Sequence, residues 1–198
     1  MSSASIPDWI SSIAAAVGAL AVVVGLFRAS KKVDEVQRNT RLLKRAEVAE
    51  ELIALALNVD DAMKDIRNPF DSIPKDKLHD KKYGYQQRYE RVAKYNDLFK
   101  RLREAHIRER TIIGNEAVNE AVEALLKARN EVLVAIETLA DYSDEPSIDA
   151  SVREHRRELR GKVYGSFSKS DDLGQRILAA VKLIEEELKP FARLDVEK

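Results

Sequence analysis

From Trp9 to Phe27 the chain reads WISSIAAAVGALAVVVGLF, 19 residues without a charge. As an α-helix this run is about 28 Å long, against about 30 Å for the hydrocarbon core of a bilayer. A helix that packs one face on a globular core and turns the other to water interrupts its apolar residues with polar ones in every turn. The run therefore predicts a single N-terminal transmembrane helix. Asp8 precedes it, and Arg28, Lys31 and Lys32 follow it. The positive-inside rule then places residues 1–8 outside as a short extracytoplasmic tail and the long C-terminal part in the cytoplasm, at the inner membrane of a bacterium. A cleaved signal peptide would carry its cations ahead of the apolar stretch, whereas MSSASIPD offers only Asp8 and the terminal amine.

Within the run, Ala14, Gly18, Ala21 and Gly25 follow a 4, 3, 4 spacing, the pattern of a helix-packing seam in which small residues let two backbones approach. The same register continues to Leu42, Ala46, Ala49, Ile53 and Ala56, with Arg28, Lys32, Glu35 and Asn39 between. It suggests a homo-oligomer assembled through the membrane. Residues 28–41 open a basic juxtamembrane helix or linker, and Arg28–Arg45 holds seven cations against Asp34 and Glu35. Such a collar fixes topology, and Arg28, Lys31 and Lys32 are also placed to meet anionic lipid headgroups.

Residues 42–194 read as a cytoplasmic helical domain. Leu42, Ala46, Ala49, Leu52, Leu55, Val59, Met63 and Ile66 recur at helical spacing up to Arg67, after which Asn68 and Pro69 stop the helix. Asn68 to Gly84 has no clean period and reads as a loop. A second helix is predicted from Tyr85 to Ile113, and a third from Ala117 to Asp141 beyond Gly114 and Asn115. Ser151 and Glu154 have capping-box spacing ahead of a fourth, and Ser170, Asp171 and Asp172 open a fifth, with Pro190 as its stop. No segment alternates like a strand. The fold class predicted is all-α, one transmembrane helix followed by a cytoplasmic four- to five-helix bundle.

The 34 basic and 34 acidic residues cancel, so no global field draws the chain toward nucleic acid. Lys75–Arg110 is locally basic, twelve cations to six anions, and carries Tyr83, Tyr85, Tyr89 and Tyr95; Thr111–Glu145 is acidic, eight anions to two cations. Two oppositely charged helices packed side by side account for both, and three of the tyrosines share a face with Val92 and Phe99, as core residues would. Without cysteine there is no disulfide framework, thiolate zinc site or cysteine nucleophile. His79, His106 and His155 stand in no metal-ligand arrangement, and the chain has no Gly-rich phosphate loop or nucleophile elbow. No metal and no cofactor is expected.

One local pattern bears on catalysis. Arg101, Leu102, Arg103, Glu104, Ala105 and His106 resemble the Arg-x4-His motif of the HEPN family of helical RNases. The resemblance implies that Arg101 would stabilise phosphate charge and His106 would act in acid–base chemistry, at a dimer interface. It covers six residues, and Leu102 stands where the family has a polar side chain. The condition it sets is that Arg101 and His106 share an exposed cleft.

The reading that covers most of the chain is non-enzymatic: a single-pass membrane protein whose partners are the lipid bilayer, further copies of itself and another protein, with its helical body as an interaction, scaffold or sensing module. A tethered RNase, or a toxin or defence effector that perturbs the membrane through oligomerising anchors, are the alternatives from other classes.

Overall fold

The computed structural model describes residues 8–70, 72–144, 149–165 and 170–194, with the side chains of 8–25, 27–29 and 144 outside the description. Six α-helices are seen among them: α1 (Asp8–Ile66), α2 (Tyr83–Lys94), α3 (Asn96–Ile112), α4 (Glu116–Asp141), α5 (Ala150–Val163) and α6 (Asp172–Ala192). No strand occurs among the described residues. Single 3-10 turns lie at Lys75–Lys77 and Tyr142–Asp144. The all-helical class predicted from periodicity is what the chain adopts.

The backbone of the uncharged run is helical as part of α1, but apart from Leu26 its side chains fall outside the described residues, as do the small residues Ala14, Gly18, Ala21 and Gly25 and the collar residue Arg28. Among the described residues, no helix is long and apolar enough to cross a membrane. The transmembrane expectation therefore rests on the sequence and takes no support from the structure.

The chain divides into two units, Met1–Lys44 and Arg45–Lys198. In the first, every described side chain from Ser30 to Lys44 is exposed except that of Leu42, which is half-buried.

The second unit holds one hydrophobic core. α4 is its central element and packs against α2, α3, α5 and α6. It can do so because its apolar residues, among them Val118, Val122, Leu125, Val132, Ile136 and Leu139, fill a wide stripe, all of them buried. The part of α1 from Ala46 onward lays Leu52, Leu55, Val59, Met63 and Ile66 into the same core. Burying each of the larger side chains is worth about 1.5–3 kcal/mol. Ala46, Ala49 and Ala56 are buried and Ile53 packs against the core, so the register that in sequence extends the small-residue seam is, in this unit, the inner face of a bundle helix.

The expected second helix is two. Tyr95 leaves helical geometry at φ −99°, ψ 9°, and α2 ends where α3 begins. Its hydroxyl donates to Asp65 Oδ2 at 2.8 Å. The break lets α2 bring Arg88 to the end of α1 while α3 buries Phe99, Leu102 and Ala105. Tyr85 and Tyr95 pack against the core as expected, but Tyr89 is exposed. The cap of α5 is Asp149, whose carboxylate accepts from Ser151 N at 3.1 Å, rather than Ser151 itself. α6 runs two residues past Pro190 to Ala192; proline lacks the donor for the carbonyl four residues back and crowds it, and the helix ends within a turn of it. Between α3 and α4, Gly114 takes φ 74°, the left-handed position that closes a helix, and its N–H donates to Glu109 O at 3.0 Å.

Candidate functional site

Helix ends leave carbonyls without partners, and in the second unit two buried arginines take them up. Arg88 is fully buried. Its Nη1 donates to Ile66 O at 3.2 Å and its Nη2 to Asn68 O at 3.0 Å, closing the C-terminus of α1, while the guanidinium lies 4.2 Å from the centre of the Tyr164 ring. Arg67, only 4% exposed, reaches from the end of α1 to the end of α5: Nε donates to Lys162 O at 2.8 Å and Nη2 to Gly161 O at 3.1 Å.

The same Nη2 pairs with Asp171 Oδ1 at 2.7 Å, and Asp171 is itself buried. That carboxylate caps α6 by accepting from Gly174 N at 3.0 Å. Gly165 N donates to Arg67 O at 2.8 Å, so the chain leaving α5 is tied to the end of α1 from both sides. One guanidinium thus joins three helix ends. A buried ion pair repays the desolvation of its charges only when further hydrogen bonds satisfy both partners, and here the helix-end carbonyls and the capping amide supply them. Gly174 is required by this packing: a Cβ there would lie 2.7 Å from Asp171 Oδ2 and 3.3 Å from Arg67 Nη1.

A cavity of about 200 Å³ opens over the pair, lined by Asp60, Met63, Lys64 and Arg67 of the α1 end, by Gly165, and by Asp171, Gly174, Gln175, Ile177 and Leu178. Met63, Ile177 and Leu178 make its apolar walls. At the rim, Lys64 Nζ lies 2.7 Å from Asp60 Oδ2; that hydrogen bond, against a smaller effect of burial, holds the ammonium above its ordinary range. The four charged side chains of the lining, Asp60, Lys64, Arg67 and Asp171, cancel. Among the described residues Arg67 Nη1 has no hydrogen-bond partner, which leaves its two N–H donors beside an apolar wall. The arrangement is suited to a small, uncharged molecule with an acceptor group facing Nη1.

The residues singled out in sequence lie elsewhere. Arg101 is exposed on α3, whereas His106 is 3% exposed, so the shared exposed cleft that an RNase site needs is not formed. His106 Nε2 donates to Asn119 Oδ1 at 2.8 Å, and Asn119 Nδ2 in turn donates to Glu116 Oε1 at 3.0 Å. The histidine fastens α3 to the first turns of α4. Lys31 and Lys32 are exposed, as headgroup contacts would require. Among the described residues, no cluster of three or more His, Asp or Glu side chains is placed to hold a metal ion. Asp171 had a signal in sequence as the opener of α6, but nothing local distinguishes Arg67 or Arg88 from the other arginines.

Comparison of the chain with known protein families, with curated proteins and with solved structures returns no match.

Proposed function

We propose that the chain is a single-pass membrane protein, its N-terminus outside and its helical body, residues 45–194, on the cytoplasmic side as an interaction, scaffold or sensing module. The observation that carries this reading is the uncharged run Trp9–Phe27 with Asp8 before it and Arg28, Lys31 and Lys32 after it. Its support is the length of the run and the sign of its flanks. The cavity at Arg67 gives the body a place where a small molecule could bear on three helix ends, which favours sensing within that class.

The chain has no native cysteine, so an introduced thiol is unique. In bacterial cells, Ser3→Cys is expected to react with a membrane-impermeant maleimide before lysis and Asp76→Cys only after it, and the protein is expected to stay in the pellet in alkaline carbonate. Release by carbonate, or the opposite order of labelling, would refute the reading.

A further inference from the structure

The first unit carries a hydrophobic seam of its own. Leu26, Val33, Val36 and Leu43 are 66%, 53%, 64% and 62% exposed, and they are the only large hydrophobic side chains among the described residues from Leu26 to Lys44 that are exposed. Their positions step by 7, 3 and 7 residues. With Ala29 and Thr40 the series 26, 29, 33, 36, 40, 43 has the alternating 3, 4 spacing of heptad a and d positions. Thr40 fits, because its hydroxyl donates back to Val36 O at 2.8 Å and its methyl is left for contact.

The charges follow the same register. Seven of the 18 residues from Leu26 to Leu43 are charged, namely Arg28, Lys31, Lys32, Asp34, Glu35, Arg38 and Arg41, and none sits on the seam. The register continues back through Ser12, Ala15, Ala19 and Val22 without meeting a charge, and it ends at Glu47 and Glu50, both exposed, where the buried face of the second unit begins. The small-residue register of Ala14, Gly18, Ala21 and Gly25 instead runs into Arg28, Lys32 and Glu35. The uncharged stripe is therefore not the small-residue one.

We infer that Leu26–Leu43 forms a parallel two-stranded coiled coil with a second copy of this chain. A repeat of 3.5 residues matches a supercoiled partner helix better than a globular surface, which follows 3.6. Val33 at an a position and Leu43 at a d position suit two strands, with Val36, β-branched at d, the exception. The flanking charges permit the pairing: in a parallel dimer Lys32 of one copy faces Gln37 of the other, and Asn39 faces Lys44, so no like charges oppose one another, while Lys31 and Arg38 occupy the outermost position. Two and a half heptads are fewer than the three or four that sustain a free coiled coil. Pairing thus needs copies held together at high local concentration, all pointing the same way. Anchoring in one bilayer supplies both, so the parallel arrangement rests on the function proposed above.

The test uses the full chain in isolated membranes. Val36→Cys puts a thiol on the seam, where the Cα atoms of two parallel copies come within disulfide reach, and Arg38→Cys puts one on the outer face. Mild oxidation is expected to convert most of V36C to a covalent dimer and at least fivefold less of R38C. Val33→Glu added to V36C is expected to abolish the cross-link. Equal or greater cross-linking of R38C, or no V36C dimer, overturns the inference. Carbonate extraction of the same samples keeps the two readings apart: a V36C dimer released by carbonate removes the anchor and leaves the seam, while retention without a dimer removes the seam and leaves the anchor.

Discussion

One substitution, Gly to Ala, is expected to have opposite effects at two helical positions of the second unit. At Gly174 the new Cβ would lie 2.7 Å from Asp171 Oδ2 and 2.9 Å from its Cγ. Contacts that short do not survive, so something must move. Asp171 cannot swing away, because its Oδ1 is held by Arg67 Nη2 at 2.7 Å and by Gly174 N at 3.0 Å. Relief costs the cap, about 1 kcal/mol, and loosens a buried ion pair whose complete disruption costs about 3–5 kcal/mol. Against this stands a propensity gain of at most about 1 kcal/mol, less in a first turn. The net expected for Gly174→Ala is a loss of about 1–3 kcal/mol. At Gly161, in α5, a Cβ meets nothing within 4 Å. There the same change only narrows the unfolded ensemble and improves propensity, for a gain of about 0.5 kcal/mol. All six tyrosines lie between Tyr83 and Tyr164 and the one tryptophan is Trp9, so in a Trp9→Phe background tyrosine near-UV dichroism during urea unfolding of the full chain in detergent reads the body. A Gly174→Ala protein as stable as the parent would refute the three-way junction of Arg67, Asp171 and Gly174.

Removing one side of the buried pair gives a second expectation: Arg67→Met takes the guanidinium from the Asp171 carboxylate and from the carbonyls of Gly161 and Lys162, for a loss of about 3–5 kcal/mol in urea unfolding. Asp171→Asn, which keeps a good capping side chain, is expected to lose less, about 1–3 kcal/mol, and the opposite order would show that the cap outweighs the charge. A third concerns pH. Glu131 on α4 meets Arg176 on α6 through two hydrogen bonds, 3.1 and 2.8 Å, and Lys162 Nζ lies 3.9 Å away. The hydrogen bond from Arg176, with the nearby positive charges and against partial burial, holds the Glu131 carboxyl below its ordinary range. A depressed folded value means that the stabilisation is present above the unfolded carboxylate value, about 4.3, and is lost as pH falls through the folded one. Because Arg176 is half exposed, the effect is about 0.5–1 kcal/mol: Glu131→Gln is expected to be less stable than the parent by that amount at neutral pH and equal to it at about pH 2. A constant difference across that range would refute the assignment.

The helices of the body are legible in the sequence because their signals are local. The stripe of α4 from Val118 to Leu139 repeats at helical spacing within one segment, and Asn115 and Asp171, residues suited to capping, sit at the two best-placed helix starts. What was illegible depends on residues far apart. Arg67 meets a partner 104 residues away and Arg88 one 22 residues away, and both are drawn from a chain with 34 basic side chains, most of which stay in water. The break at Tyr95 is of the same kind, since the hydroxyl contact to Asp65 that accompanies it lies on another helix. His106 shows the reverse error: the arginine five residues ahead supplied a motif, but burial of an imidazole is decided by what packs over it, here the first turns of α4. The seam at Leu26–Leu43 lies between these cases. Its heptad spacing and its avoidance of charge are present in the sequence, yet an apolar stripe is equally the inner face of a bundle helix, as Ala46, Ala49 and Leu52 are later in α1. Periodicity tells which side of a helix is to be covered. Whether the chain covers that side itself is read from exposure, and along α1 the answer changes between Leu43 and Ala46.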